Sequence, residues 1–246
     1  AGVRDLIVFD MGGTTAKVSL VDDGKPRVGT EIEVARVARL KKGSGPPLKT
    51  LCVELIEIGA GGGSIARIDE LGLLKVGPTS SGADPGPACY GFGGGEPTVT
   101  DADVILGRID PDRFFNGRKK LNRAKAEAAI KEKIAEPLSC DVFKAAKGMI
   151  DIVDSRMADL IRKLTVERGV DPRDFVLFAY GGGGATHVGA YAREVGIRTA
   201  VVSPYSSVFS ALGIASSDIV RVYSQSNPLR SPFDIERINS LFSRLE

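Results

Sequence analysis

Tryptophan is absent from this chain, and the other aromatics are few, with 5 Tyr and 10 Phe in 246 residues. That favours a fold rich in close backbone contacts over an aromatic-lined binding surface. Histidine occurs once, as His187. The three cysteines, Cys52, Cys89 and Cys140, are widely separated, and no CxxC or Cys/His spacing occurs, which argues against a structural zinc site. They read as free thiols in a reducing cytoplasm. No secretory apolar core is seen, nor an apolar run long enough to cross a bilayer. Charge of one sign is also missing: 33 Lys and Arg stand against 31 Asp and Glu, so nothing points to a nucleic-acid partner or a membrane surface.

Glycine is abundant, at 30 residues, gathered in short runs with no repeat, so collagen-like and low-complexity readings fail. At 43% hydrophobic and 26% charged, the chain has the balance of a globular protein with a sizeable core. It begins at Ala1 directly before a strand and ends at Glu246 inside a helical pattern, Pro232 to Glu246. The expectation is a piece of a longer protein.

Along the chain, Leu6–Phe9 predicts a buried strand, Gly12-Gly13 a turn, and Ala16–Val21 a returning strand. Val28–Leu40 and Leu51–Ile58 predict further strands, and Ile65–Leu74 a strand-turn-strand. Gly77–Pro97 is dense in Gly and Pro and predicts an ordered, functional loop. Helices are predicted from Asp101, as cap, to Gly107, over Asn122–Glu136, from Asp141, as cap, to Gly169, and over Ala185–Val195. Phe175–Tyr180 and Thr199–Val202 flank the last of these as a βαβ unit. Ser206–Ser217 is compatible with helix or loop.

Four groups of residues carry candidate chemistry. In Asp10-Met11-Gly12-Gly13-Thr14-Thr15, bare glycines let backbone N–H groups approach an anion, the threonines add donors, and Asp10 can orient a water or hold a metal-bound one. A strand follows these glycines, so this is not a P-loop. Gly181-Gly182-Gly183-Gly184, between a strand and a helix, offers a helix N-terminus to a nucleotide, with His187 close behind as a site donor or as a structural, hydrogen-bonded residue. Gly59–Ser64 resembles a weak dinucleotide fingerprint, but no helix follows it, so NAD is disfavoured. Asp84, Asp101 and Asp103 are carboxylates in loop or cap positions, suited to Mg²⁺ or Mn²⁺ or to general-base work, with an N-cap role as the alternative for Asp101. Cys89 is a weak nucleophile candidate, because one histidine is available to activate it.

The runs DMGGTTAK, GAGGGSIA, GADPGPACYG, PTVTDADVILGRIDP, MADLIRKLTVERGVDPRDF, YGGGGATHVGAYARE and VFSALGIASSDI occur in this order and resemble the hydantoinase A/5-oxoprolinase family from Asp10 to about Asp218. The resemblance implies an α/β, ribonuclease-H-like (actin-like ATPase) fold, a mixed sheet with flanking helices, with family-specific insertions at about 41–121 in a nucleotide-binding domain over 1–246. It implies ATP, with Mg²⁺ or Mn²⁺, and ATP-dependent hydrolysis of a cyclic amide of the hydantoin or 5-oxoproline type. Alternatives are a subunit of an acetone or acetophenone carboxylase, or a non-catalytic nucleotide-binding module. The implied partners are a small-molecule substrate, a hydantoinase B-type subunit and an N-terminal lobe bearing a first DxGGT-type loop, and a homo-oligomer is compatible with them. Asp10 to Thr15 matches the second such loop, and Gly181, Gly182 and Gly183, with His187, match the nucleoside side. Lys17 stands where the family commonly has an acid, which puts metal binding at that position in doubt. The candidate roles are thus Asp10 and Asp101 in catalysis, Asp10, Gly12, Gly13, Thr14, Thr15, Gly181, Gly182, Gly183 and His187 at the nucleotide, and Asp84 and Asp103 at a metal.

Overall fold

Strand β1 (Leu6–Met11) turns its even-spaced apolar residues inward, and Ile7, Phe9 and Met11 are fully buried. Strand β2 (Ala16–Asp22) returns antiparallel in the register Ile7 to Leu20, Phe9 to Val18 and Met11 to Ala16, so the inward residues of both strands share one face. A one-residue slip would send all of them to the other face, so the pattern fixes the register. The computed structural model describes residues 2–34, 43–219, 221, 223 and 225–245. It has two compact units, 1–209 and 210–246.

In the first unit, β3 (Lys25–Pro26) continues the hairpin, and β4 (Val28–Glu33) pairs with β5 (Pro47–Val53) as a separate two-stranded sheet. The single strand expected over Leu51–Ile58 is broken. Glu54 donates its N–H to the Arg27 carbonyl, and β6 (Leu55–Ile58) leaves the small sheet to pair with β2. The end of the strand expected over Val28–Leu40 lies outside the described residues from 35 onward. β7 (Ser64–Ile68) and β8 (Leu74–Ser80) form a strand-turn-strand that reaches beyond the expected Ile65–Leu74, since β8 runs through Gly77 and Pro78 to Ser80 into the span expected as loop; Asp69 accepts the N–H groups of Leu71 and Leu73 in the turn.

Helix α1 (Val99–Ile105) is capped by Thr98, not by Asp101. Asp101 instead sits three residues into the helix and completes a capping box, its carboxylate accepting the Thr98 N–H while Thr98 Oγ1 accepts the Asp101 N–H. Asn122 caps α2 (Arg123–Ile130), which runs on through a π-helical turn at Lys131–Ala135, and Asp141 caps α3 (Val142–Leu164) as expected. β9 (Val176–Tyr180) lies parallel to β1, α4 (Gly182–Val195) follows, and β10 (Ala200–Val202) lies parallel to β9.

The main sheet is therefore mixed, in the order β10-β9-β1-β2-β3, with β6 also on β2. It is the α/β sheet of a ribonuclease-H-like fold. β6 belongs to this sheet although it falls in the span expected as insertion. Helix α3 packs Met149, Ile150, Val153, Met157, Leu160 and Ile161 into the core, and on α4 Tyr191 stacks at 4.7 Å on Phe9. Each such side chain contributes about 1.5–3 kcal/mol by burial. Helix α5 (Phe209–Ser216) resolves the Ser206–Ser217 stretch, after a short 3-10 turn. The second unit holds the rest of α5 and α6 (Ile235–Ser243), which Asp234 caps. Among the described residues no helix is long and apolar enough to cross a membrane.

Candidate functional site

Because β1 and β9 are parallel neighbours, with Asp10 beside Tyr180, the loops that leave their carboxyl ends emerge together. Clefts of open α/β sheets form at such ends. The first loop is tight: the Gly12 N–H donates to the Thr15 carbonyl at 3.2 Å, and on the returning arm Lys17 donates to Thr15 Oγ1 at 2.9 Å. The Gly59–Ser64 run sits directly on this loop. Gly62 and Gly63 donate to the carbonyls of Gly12 and Gly13 at 3.0 and 2.7 Å. A Cβ on Gly61 would lie 2.6 Å from the Gly13 carbonyl carbon and the Thr14 nitrogen, so glycine is required for that approach. The run is thus a buttress, and β7 follows it instead of a helix, as the case against NAD requires. Thr100 holds its other side, donating both N–H and Oγ1 to the Gly62 carbonyl.

The third glycine run differs from expectation. Only Gly181 is a turn residue, at φ +74°, and Gly182, Gly183 and Gly184 are already the first turn of α4. A Cβ on Gly181 would lie 2.6 Å from Asp10 Oδ1. Asp10 thus stands at the junction of the first and third loops. Burial raises its carboxyl above the usual range, against a smaller lowering by Lys17.

Gly12, Gly13 and Gly182 have a different environment. A Cβ at any of them would meet nothing within 4 Å, and none has a left-handed φ. Neither packing nor backbone geometry calls for glycine there. All three line a cleft of about 920 Å³, together with Gly62, Gly183 and Thr186. The lining also includes Arg113, Arg118 and Lys119 with Tyr90 and Phe114, and Asp110, which pairs with Arg113 at 3.6 Å. Lys119 Nζ lies 4.3 Å from the Tyr90 ring centre and 3.7 Å from that of Phe92. The start of a 14-residue helix lines the same cleft as these cations, a combination that attracts an anion.

His187 is buried behind the glycine turn, in the second turn of α4. Its Nε2 lies 3.1 Å from Asp103 Oδ2 and its Nδ1 2.7 Å from Asp154 Oδ1. Burial alone pushes the imidazole pKa down, but the two carboxylates outweigh it and raise it to about 9. The ring is therefore an imidazolium at neutral pH and donates from both nitrogens. Arg108 lies 3.2 Å from His187 Nδ1, but its partner is Asp154 Oδ2, at 3.4 Å, since two donors cannot bond each other.

Of the residues named from sequence, Gly12, Gly13, Gly182, Gly183 and Asp103 line the cleft. Thr14, Thr15 and Gly181 adjoin it without lining it, and His187 lies behind it. Asp101 is elsewhere and fully buried. Its carboxylate accepts from the N–H groups of Ala88, Cys89 and Thr98 and from Thr98 Oγ1, so it fastens the Gly/Pro loop to α1 and has no oxygen free for proton transfer. Asp84 is exposed in that loop and is not brought to Asp103 in the cleft. Among the described residues no group of three or more His, Cys, Asp or Glu could hold a metal. Cys89 is buried, and burial followed by Asp101 drives its thiol pKa far up, the reverse of an activated nucleophile. Sequence reasoning missed Thr100, Asp154 and the basic residues of the cleft. Asp154 had a signal, an acid four residues after Ile150 on the apolar face of α3.

The Hydantoinase/oxoprolinase family model matches residues 1–223. The acetophenone carboxylase gamma subunit of Aromatoleum aromaticum is 45% identical over 226 residues, covering 92% of this chain and 30% of that protein. The crystal structure of the ATP-dependent caprolactamase from Pseudomonas jessenii matches with a TM-score of 0.75 and 36% identity, over 99% of this chain and 34% of that one. The nucleotide-free acetone carboxylase structure matches with a TM-score of 0.79 and 32% identity, over 88% of this chain and 29% of that one. This chain spans about a third of the length of the first curated relatives it matches. With nearly its whole length inside the family model, and with the glycine loops converging as described, the chain belongs to the hydantoinase/oxoprolinase family.

Proposed function

We propose that this chain supplies one phosphate-facing wall of an ATP site in a longer enzyme that hydrolyses a cyclic amide of the hydantoin or 5-oxoproline type. One observation carries the reading: Gly12, Gly13 and Gly182 are glycines that the fold does not require, and they line a cleft that also carries Arg113, Arg118 and Lys119. A side chain there would fill the space a phosphate needs. The residues present fit a nucleotide in this sense. Gly13, Gly182 and Gly183 would offer backbone donors, Gly12 would leave room beside them, Asp10 would sit at the loop junction, and Arg113 and Lys119 would balance charge. ATP would supply a phosphoryl group that turns the inert amide oxygen into a leaving group. The described residues do not make a protein-only metal site, so no step is assigned to Mg²⁺ or Mn²⁺. An ion carried in by the nucleotide would be held mainly by phosphate and water.

A second reading, a subunit of a ketone carboxylase, is favoured by the 45% identity to the acetophenone carboxylase subunit. Either reading includes partner subunits, since relatives carry the names acetophenone carboxylase gamma subunit and caprolactamase subunit alpha. The test is phosphate release by the full-length protein with hydantoin, 5-oxoproline and acetone in parallel, with and without its partner subunit. Stimulation by a cyclic amide is expected, and stimulation by acetone alone would move the assignment to the carboxylase. Absence of nucleotide binding would remove both.

A further inference from the structure

Asp103 holds the buried side-chain atom that has no hydrogen-bond partner among the described residues, its Oδ1. Such an orphan is costly, the more so when charged, so a native fold keeps it for a reason. The other oxygen is fully engaged. Oδ2 receives His187 Nε2, His187 Nδ1 is tied to Asp154, and Asp154 is tied to Arg108. Two carboxylates, one imidazolium and one guanidinium close the cluster's charge internally. A cluster serving stability alone would satisfy both oxygens of Asp103, or be replaced by apolar packing at no loss. Here three helices, α1, α3 and α4, hold the carboxylate rigidly while one oxygen is left over.

Asp103 also lines the glycine cleft. The lining also carries the cations Arg113, Arg118 and Lys119 and a second carboxylate, the exposed Asp110, which pairs with Arg113 at 3.6 Å, so Asp103 is the buried acceptor of this site whose second oxygen has no partner among the described residues. An ionised carboxylate only accepts, and a bare phosphate oxygen would be repelled. A molecule bound there must present a polar hydrogen at this point.

We propose that Asp103 contacts the bound molecule, taking a hydrogen bond through Oδ1 from one of its O–H or N–H groups, with His187 and Asp154 as positioning residues behind it. The inference rests on the ATP reading and adds an acceptor to it. The donor has two sources, the nucleoside or the group that reacts with the phosphate, and the experiment separates them.

The full-length protein and its Asp103→Asn, Asp103→Glu and His187→Gln variants are compared for binding of ATP, 2′-deoxy-ATP, 3′-deoxy-ATP and ITP, for phosphate release, and for thermal melting. With a nucleoside donor, wild type binds one analogue about ten- to hundredfold more weakly than ATP, and Asp103→Asn abolishes that discrimination. With a donor on the reacting group, Asp103→Asn lowers kcat about tenfold or more at unchanged ATP affinity. His187→Gln moves the same parameter in the same direction by a smaller factor, which a purely structural histidine would not do. Asp103→Glu keeps the charge but displaces the oxygen, so it shows the same loss and carries the test if Asp103→Asn melts too low to assay. If wild type binds ATP and folded variants match it in both discrimination and kcat, the inference is overturned. If wild type binds no nucleotide, the ATP reading fails and this one with it.

Discussion

Glycine at a position where its side-chain hydrogen faces empty space has a different meaning from glycine wedged against backbone, and this chain has both kinds within a few residues of each other. At Gly181 an added methyl would lie 2.6 Å from Asp10 Oδ1, in a left-handed backbone. Gly181→Ala should cost about 2–4 kcal/mol, read as a lower melting temperature. At Gly182 nothing lies within reach and the residue is helical. Gly182→Ala should leave stability unchanged or raise it by up to about 1 kcal/mol, since alanine favours the helix, while nucleotide affinity of the full-length protein falls. Were Gly182→Ala to bind nucleotide as well as wild type, that glycine would have no role at the phosphate. Asp101 is a third case. Four donors converge on its buried carboxylate, and Asp101→Asn would turn an amide N–H toward some of them. A loss of about 2–4 kcal/mol in chemical denaturation is expected.

At the level of elements, the helices meeting at His187 impose a pH dependence. The folded pKa of His187 is raised to about 9, above the ordinary 6.5. A group whose folded pKa is raised contributes fully below its unfolded pKa and loses that contribution as pH rises through the folded one. The unfolding free energy should therefore fall between pH 6.5 and 9, by an amount on the order of 3 kcal/mol from this group. Denaturant titrations of wild type and His187→Gln across that range check it, the variant being expected to lack the slope. A slope equal in both would place the imidazole outside the cluster's charge balance. In α3, Met157 is fully buried on the face packed into the core, and Met157→Ala should cost about 2–5 kcal/mol by calorimetry.

For the whole molecule, the relevant fact is proportion. The chain is about a third of the length of the first curated relatives, and its cleft is lined by the glycine loops together with Arg113, Arg118 and Lys119. Residues 1–246 alone should bind ATP more weakly than the longer protein, compared by titration calorimetry at one salt concentration. Equal affinity would mean that this chain holds the complete nucleotide site.

Periodicity settled the strands and the long helix, because Ile7, Phe9 and Met11 alternate and the apolar residues of α3 keep a helical period, and both patterns record burial directly. Composition and motif order likewise identified the family and the first and third glycine loops, since backbone that must approach an anion leaves a trace in the sequence as glycine. What folding decided was every role that depends on a partner distant in the chain. Asp101, Asp103 and Asp154 are equivalent as letters. The loop at Cys89 makes the first a fastener, His187 makes the second a clamped acceptor, and Arg108 makes the third its support. A carboxylate takes its function from what faces it, and contacts 33 to 84 residues apart in the chain are set by helix packing, which no local pattern encodes.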